Sequence, residues 1–360
     1  MVIEIESKCV INSPDNTNAI FPGATRLDDG SLLLLFVSGS GFESSDQHMV
    51  KARSLDGGRS WRMEGNLYDY SKLPFSEPFT DCCKPTSLGG ERVIAVGYGF
   101  RRDEPQMGLS DYAEKFGRFP AALNPILTSE DGGRSWKGPW FVPHDYAGLE
   151  LSGPALRCAD GRLLIFAAPF VLKAKLQQGF TFESCDGGVS WKQTGTFFSS
   201  AEVAPWEVRS VQLPSGRIVL VIWAYDLVNQ RHLANQLVWS DDGGRSWSRP
   251  IDTGLRGQAS NFLIRDGKLG IVQARREGAA PGIYLSFVEL HDDSVTLLEE
   301  ACIWDAAGMA NRVGKIEEQF ANLKFGQPSV VALDDGTYLL LFWNCIDNVY
   351  AVQSWRFSIR

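Results

Sequence analysis

The chain lacks an excess of basic residues. Its 360 residues include 35 Lys and Arg against 43 Asp and Glu, which gives a formal net charge of −8. Proteins that bind nucleic acid neutralise phosphates with clustered Lys and Arg, and no such stripe runs through this sequence. Nucleic acid is therefore not expected among its partners.

Long hydrophobic runs are also missing. No window approaches the roughly 18 to 20 apolar residues that a bilayer span requires. The first residues, MVIEIESKCVIN, contain no basic segment followed by an apolar run. These absences disfavour secretion and membrane insertion, so we expect a cytoplasmic location and no membrane partner.

Metal-binding patterns are absent as well. None of the seven cysteines forms a CxxC pair, and the four histidines stand far from the cysteines and from one another. An odd number of cysteines without paired spacing favours reduced thiols over a zinc site. We expect no metal and no cofactor.

Glycine, in contrast, is abundant, at 36 of 360 residues against a usual share of about 7%. Many glycines fall in a motif, S-x-D-G-G-x-S-W, that occurs four times, at 54–61, 129–136, 184–191 and 240–247. The Ser and Asp side chains of such a box can accept hydrogen bonds from loop amides, and its glycines permit positive φ. Its Trp can pack the turn onto a sheet. Each box should therefore close a hairpin.

A second repeat places a turn dipeptide before an apolar strand at six points. The turn glycines are Gly30, Gly90, Gly161, Gly216, Gly267 and Gly336, and they divide the chain into six units of about 60 residues. This pattern predicts an all-β fold: one six-bladed β-propeller with four-stranded antiparallel blades, which occupies residues 1–360 as a single domain. The opening strand, MVIEIES, and the closing strand, YAVQSWRFSI, should share the last blade and so remove free sheet edges.

One connection is unusually long. About 25 residues, rich in charge, Gly and Pro, separate the second strand of blade two from its S-x-D-G-G-x-S-W box. Connections of this length in compact domains are often functional. The segment is expected either to form a lid over one mouth of the propeller or to be a surface loop without a chemical role.

Repeated S-x-D-x-G-x-x-W boxes on a six-bladed propeller resemble the sialidase superfamily, also called the Asp-box or BNR-repeat family. The resemblance extends over essentially the whole chain. It implies that the boxes lie on the face opposite the active site. The box aspartates would then be structural turn residues and not catalysts: Asp56, Asp131, Asp186 and Asp242.

Three signature residues of that family do not match. Ile20, in the stretch AIFP, stands where the first of three carboxylate-binding arginines would be. Trp223 stands where the second arginine would end its strand, and Gln327 stands where the nucleophilic tyrosine would begin the last blade. The carboxylate of an α-keto acid would lack its bidentate partners, which argues against ordinary hydrolysis of sialic acids.

Other positions do match. Glu207 occupies the position of the family's glutamate that assists the nucleophile, and the resemblance implies a catalytic role for it. Asp46 lies nearest to the family's acid/base aspartate, with Glu43 as the alternative. Arg276 resembles an arginine after the second strand of blade five that could bind an anionic or hydroxylated substrate.

Counting back nine residues from every turn glycine gives one equivalent position per blade: Phe21, Asp81, Ser152, Glu207, Gln258 and Gln327. The starts of the inner strands of a propeller converge around its central channel, so these residues should form a polar ring there. Asp81, Gln258 and Gln327 are accordingly predicted to bind substrate. Side chains alternate along a strand, so Arg209 should lie on the same side as Glu207, keep it ionised and contribute to the substrate site.

Two carboxylates that flank a glycosidic bond suit acid/base hydrolysis. We therefore predict a sialidase-like, exo-acting glycoside hydrolase of a small acidic or neutral saccharide, with Glu207 and Asp46 as its catalytic residues at the central channel. Two alternatives are a noncatalytic carbohydrate-binding propeller and a polysaccharide lyase that neutralises a carboxylate with Arg276. Trp206 and Trp223 could stack on a sugar ring or pack in the core. The sugar and the oligomeric state stay open.

Overall fold

The computed structural model describes residues 1–13, 17–169, 174–309 and 323–360. Nearly all of its regular structure is β, in six antiparallel sheets that each contain a continuous path of four strands. This confirms the predicted all-β class, a six-bladed β-propeller with four-stranded antiparallel blades. Three blades carry an additional strand of two residues beside that path.

The strands follow one another blade by blade along the chain, and β1 completes the last blade. In chain order they are β1 (Ile3–Ile11); in blade one β2 (Asn18–Arg26), β3 (Leu32–Gly39), β4 (His48–Ser54) and β5 (Arg62–Asn66); in blade two β6 (Phe79–Gly89), β7 (Arg92–Arg101), β8 (Ala122–Leu123), β9 (Pro125–Ser129) and β10 (Lys137–Phe141); in blade three β11 (Leu149–Glu150), β12 (Leu156–Arg157), β13 (Leu163–Pro169), β14 (Gln177–Ser184) and β15 (Lys192–Ser200); in blade four β16 (Val203–Gln212), β17 (Ile218–Asp226), β18 (Arg231–His232), β19 (Gln236–Ser240) and β20 (Ile251–Asp252); in blade five β21 (Ser260–Arg265), β22 (Lys268–Arg275), β23 (Gly282–Leu290) and β24 (Val295–Asp305); and in blade six β25 (Phe325–Ala332), β26 (Tyr338–Ile346) and β27 (Val349–Ile359). A 3-10 turn (Tyr70–Lys72) precedes blade two, and helix α1 (Leu109–Phe116) lies in its long connection.

The described residues form two compact units. Unit 1 holds blades three, four and five, from residues 143–169 and 174–309 together with the chain ends 1–3 and 360. Unit 2 holds blades one, two and six, from residues 4–13, 17–142 and 323–359. As predicted, the opening and closing strands share a sheet, in which β1 pairs with β27. Val2 and Arg360 exchange backbone hydrogen bonds of 3.0 and 2.9 Å beside them. The assignment of residues 1–360 to a single domain stays a prediction.

In each blade, the turn glycine precedes the second strand of the four-stranded path, counted from the strand that comes first in the chain within residues 18–359. All have positive φ, from 61° at Gly90 to 92° at Gly216. No atom lies within 4 Å of the place where a Cβ would stand at any of the six. Glycine is therefore required at these turns by the backbone conformation and not by lack of space.

The apolar runs after these turns form the cores. All eight residues of β3, LLLLFVSG, are buried, because its side chains pack with blade two through Val93 and with blade six through Leu339. In unit 1, β17 is buried throughout in the same way. Each buried Leu of such a strand contributes about 1.5 to 3 kcal/mol by leaving water.

The four S-x-D-G-G-x-S-W boxes form closely similar turns. Ser184 Oγ donates to Asp186 at 2.8 Å, and Ser190 donates to Asp186 through its N–H at 2.9 Å and its hydroxyl at 2.5 Å. The hydrogen bonds from Ser190 lower the pKa of Asp186 to about 2, so this carboxylate stays ionised within its own loop. The other three boxes repeat the arrangement, at Asp56, Asp131 and Asp242.

Candidate active site

Glu207 lies on a bulge in β16. The pairing of β16 with β17 shifts register between Trp206 and Arg209, and Glu207 has a φ of 49°. This left-handed conformation costs a residue other than glycine about 1 to 3 kcal/mol, and a bulge re-aims the side chain that it carries. Phe21 and Gln327, the equivalent positions in blades one and six, lie on matching bulges with φ of 53° and 45°. In three blades, the residue nine positions before the turn glycine therefore has a strained, left-handed backbone conformation.

The side chains of Glu207 and Arg209 are joined by a hydrogen bond, although the bulge interrupts the alternation of β16 between them. Arg209 Nη2 donates to Glu207 Oε2 at 3.2 Å, while Nη1 donates to Ser152 Oγ at 2.9 Å and to Val208 O at 3.0 Å. The guanidinium is buried, whereas the Glu207 side chain is 14% exposed. This charge-assisted hydrogen bond holds the Glu207 side chain against a buried guanidinium.

A second carboxyl group, Glu150, adjoins this pair. It ends β11, is 8% exposed, and accepts the backbone N–H of Glu207 through Oε1 at 3.1 Å. Burial raises the pKa of Glu150 and the negative charge of Glu207 raises it further, against the opposing effect of that N–H. Glu150 was missed from the sequence, although it lies only two residues before Ser152.

Arg276 follows β22 and is 2% exposed. Its backbone N–H donates to Gln258 Oε1 at 2.9 Å, and its guanidinium carbon lies 5.9 Å from the ring centroid of Trp223. Burial lowers the pKa of Arg276 to about 10, and the charge of Glu207 opposes that change. Arg276 therefore keeps its positive charge at neutral pH. We call Glu150, Ser152, Glu207, Arg209 and Arg276 the carboxyl site of unit 1.

The two tryptophans near this site pack in the interior. Trp206 and Trp223 are both buried. Trp206 stacks on Tyr225 with centroids 4.8 Å apart, and Trp223 Nε1 donates to His232 Nδ1 at 3.0 Å. Of the two roles open from the sequence, the structure shows core packing, which supports the strands that carry Glu207.

Asp81 belongs to unit 2 and is 3% exposed. It accepts the hydroxyl of Tyr70 at 2.5 Å and that of Tyr68 at 2.9 Å, and the two rings stack with centroids 4.2 Å apart. Burial raises the pKa of Asp81 to about 6, although both hydroxyls act to lower it. The sequence analysis missed this tyrosine pair, whose only signal was the YDY segment after the first box.

Gln327 is also buried in unit 2, where it meets a cation that sequence reasoning did not single out. Lys84 Nζ donates to Phe21 O at 2.5 Å, to Pro22 O at 3.3 Å and to Gln327 Oε1 at 3.4 Å. A buried ammonium thus lies at the bulges of blades one and six. Ile20, at the place of the missing arginine, packs in the apolar core of unit 2.

Asp46 lies in the loop between β3 and β4, at an open groove of about 490 Å³ whose other wall is residues 105–108. It accepts the N–H and the hydroxyl of Ser40, each at 3.0 Å. Burial acts to raise the pKa of Asp46, but hydrogen bonds from Ser44 and Ser40 outweigh it and the pKa lies below its usual value. An ionised Asp46 suits a base or a polar ligand better than a proton donor.

The long connection of blade two is tied to this loop. Glu43 accepts the N–H of Ser110 at 3.0 Å and its hydroxyl at 2.6 Å, in the first turn of α1. Buried Arg102 donates to Glu43 O at 3.0 Å. Glu43, the alternative to Asp46 in the sequence analysis, therefore holds α1 in place. The lid function of this connection stays a prediction.

Neither a metal site nor a membrane helix is found in the described part of the chain. Within residues 1–13, 17–169, 174–309 and 323–360, no three His, Cys, Asp or Glu side chains are grouped to hold a metal ion. The helices of those same ranges fall short of the length and apolarity that a membrane crossing demands.

The fold is shared with solved structures of low sequence identity. A protein of unknown function from Dyadobacter fermentans is 19% identical, with a TM-score of 0.77 over 99% of each chain. A Hadza microbial sialidase is 16% identical, with a TM-score of 0.66 over 96% of this chain and 66% of its own. Trypanosoma rangeli sialidase is 14% identical, with a TM-score of 0.62 over 98% of this chain and 58% of its own.

This chain thus spans less than two thirds of the length of either sialidase. The sequence matches no protein-family profile and no curated protein. Identities this low establish the fold alone. The comparisons therefore show that this chain has the six-bladed β-propeller fold of those sialidases.

Proposed function

We propose that this protein is an exo-acting glycoside hydrolase of a small acidic or neutral saccharide, with Glu207 as a catalytic carboxylate. The proposal rests on the environment and the backbone conformation of Glu207. Its side chain is partly exposed and bonded to a buried arginine, and its backbone is held in a left-handed conformation. Strain of this kind persists where the surrounding structure imposes it and clusters at active sites.

A carboxyl group at this position suits glycoside hydrolysis. The reaction breaks the bond between the anomeric carbon and the glycosidic oxygen, and the oxygen of a water molecule bonds to that carbon. One proton of the water ends on the leaving alcohol, and a carboxylate assists by accepting a proton or stabilising the positive charge at the anomeric carbon. Arg276, charged and buried beside Glu207, would bind a carboxylate or hydroxyl group of the saccharide.

The remaining residue assignments of unit 1 belong to the same proposal. Gln258 of unit 1 is proposed as a contact to the saccharide. The assignments in unit 2, Asp46 as a catalytic group and Asp81 and Gln327 as substrate contacts, stay predictions for that unit by itself. Arg209 would act by orienting Glu207, since its two terminal nitrogens bond Glu207, Ser152 and Val208. By fold analogy, the saccharide class is supported by the complex of Trypanosoma rangeli sialidase with 2,3-difluorosialic acid as a covalent intermediate.

The test is a screen of purified protein against sialosides, uronides and arabinosides, by reducing-end release and ultraviolet absorbance, with E207Q and E183Q alongside. Glu183 is the matched control, because it is also a buried glutamate of unit 1 that bonds an arginine. We expect E207Q to lower kcat by about 10² to 10⁴, while E183Q keeps wild-type turnover.

Three other outcomes would lead to a different conclusion. Equal turnover in E207Q and wild type would contradict the role of Glu207. A new absorbance from an unsaturated uronate would identify the lyase alternative. Silence over the panel, with sugar binding retained by wild type and E207Q, would identify the noncatalytic binding propeller.

A further inference from the structure

The carboxyl site of unit 1 contains two glutamates whose environments differ. We infer that Glu150 fixes the main chain of Glu207 on its bulge and, as the more deeply buried of the two carboxyl groups, keeps a proton at neutral pH, while Arg209 pairs with Glu207. A role of Glu150 in turnover rests on the proposed function. The proton on Glu150 and its hydrogen bond to the Glu207 main chain do not depend on that function.

The geometry separates the roles of the two groups. Glu150 meets the main chain of Glu207, whose N–H lies 3.1 Å from Glu150 Oε1. A neutral carboxylic acid retains a carbonyl oxygen that accepts such an N–H, so this contact does not require a charge on Glu150. It does hold the backbone of Glu207 in the left-handed conformation that aims its side chain.

The positively charged side chains of this site interact with Glu207. From β16, Glu207 and Arg209 face Glu150, and the hydroxyl of Ser152 faces it from its own segment. Arg209 commits Nη2 to Glu207 and Nη1 to Ser152 and Val208. Arg276, after β22, offsets the charge of Glu207. Arg209 thus bonds Glu207 directly; its charge also acts to lower the pKa of Glu150, but the burial of Glu150 outweighs this effect.

An ionised Glu150 would place a second negative charge in the interior beside Glu207. Two neighbouring carboxylates repel each other, and the more buried one keeps its proton to higher pH. Burial and the charge of Glu207 accordingly raise the pKa of Glu150. When Glu150 does ionise at alkaline pH, its repulsion should disturb Glu207 and lower activity.

The direct test follows glutamate carboxyl carbons by NMR, in protein labelled with ¹³C at that position only, from about pH 4 to about pH 9. We expect one glutamate resonance to titrate well above the ordinary range in wild type and in E183Q. It should be missing from E150Q and should move to lower pH in E207Q. Labelling glutamate alone keeps aspartates such as Asp81 out of the spectrum.

Three results would overturn the inference: no glutamate that titrates above the ordinary range, a high-titrating resonance that persists in E150Q, or an unchanged titration in E207Q. If E150Q does not fold, the spectra of wild type and E207Q still show whether a glutamate titrates above the ordinary range and whether Glu207 affects it. Because this measurement needs no substrate, failure of the proposed hydrolase activity would leave its outcome intact.

If the screen finds a substrate, the pH profile tests the role in turnover. E150Q keeps the carbonyl oxygen but cannot ionise, so it should lose the alkaline decline that wild type shows. E150A also loses the acceptor for the Glu207 N–H, and its kcat should fall about tenfold or more at every pH, because small displacements of a reacting group are costly. A wild-type profile in E150Q would contradict this role.

Discussion

At the scale of single residues, Glu207 combines a carboxylate with a backbone conformation that glycine adopts without strain. Glu207→Gly and Glu207→Ala both remove the carboxylate, so their difference measures the strain alone. We expect the glycine variant to be about 1 kcal/mol more stable than the alanine variant in urea unfolding. At Glu183, in the regular strand β14, the order should reverse. Equal stabilities of the two Glu207 variants would contradict a strained site.

Asp81 should make stability depend on pH. Its folded pKa of about 6 exceeds the ordinary 3.8, so the folded protein binds this proton more tightly than the unfolded chain does. The stabilisation is complete below pH 3.8 and is lost as the pH rises through about 6. The Asp81→Asn variant cannot ionise at this position, so its stability does not fall in this way. The free energy of unfolding of the variant minus that of wild type should therefore increase by up to about 3 kcal/mol over that pH range.

Urea unfolding at several pH values measures this difference for Asp81→Asn. Asp46→Asn is the matched control, because the pKa of Asp46 is lowered and the slope should have the opposite sign. A difference between Asp81→Asn and wild type that does not change with pH would show that Asp81 is ionised in the folded protein as readily as in the unfolded chain.

At the scale of structural elements, the long connection of blade two depends on one side chain from blade one. Glu43 accepts two hydrogen bonds from Ser110 and so caps α1 from outside the helix. Removing a cap of this kind costs about 1 kcal/mol. Glu43→Ala should therefore speed proteolysis within residues 101–121 and hydrogen exchange of the α1 amides, while Glu114→Ala, an exposed site on the same helix, should not. Equal rates in the two variants would contradict the capping role.

At the scale of the whole molecule, blade six depends on a strand from the other end of the chain. β1 pairs with β27, so a variant that lacks residues 2–11 would leave β27 as an unpaired edge of 11 residues. Exposed edges associate with other strands. We expect a lower Tm and soluble aggregates in light scattering. Val10→Ser, an exposed site on β1, should leave both unchanged. A truncated chain with the oligomeric state and the Tm of the wild type would contradict this dependence.

The sequence by itself determined the blades, because the relevant signals are local. A turn glycine requires positive φ whatever surrounds it, and an apolar run after that turn predicts a strand with both faces covered. The count from each turn to the first strand of its blade also requires nothing beyond the chain. It therefore led to Phe21, Glu207 and Gln327, which all lie on bulges.

Only the tertiary structure decided which side chains meet and which of them keep a proton. Glu150 reaches Glu207 across 57 residues of chain, and Lys84 reaches Gln327 across 243. Such pairs form when separate blades pack together, so no local sequence pattern predicts them. Burial, which raises the pKa of Asp81 and of Glu150, is likewise a property of that packing. The sequence could name candidate carboxylates, but their charge depends on neighbours that folding brings from distant parts of the chain.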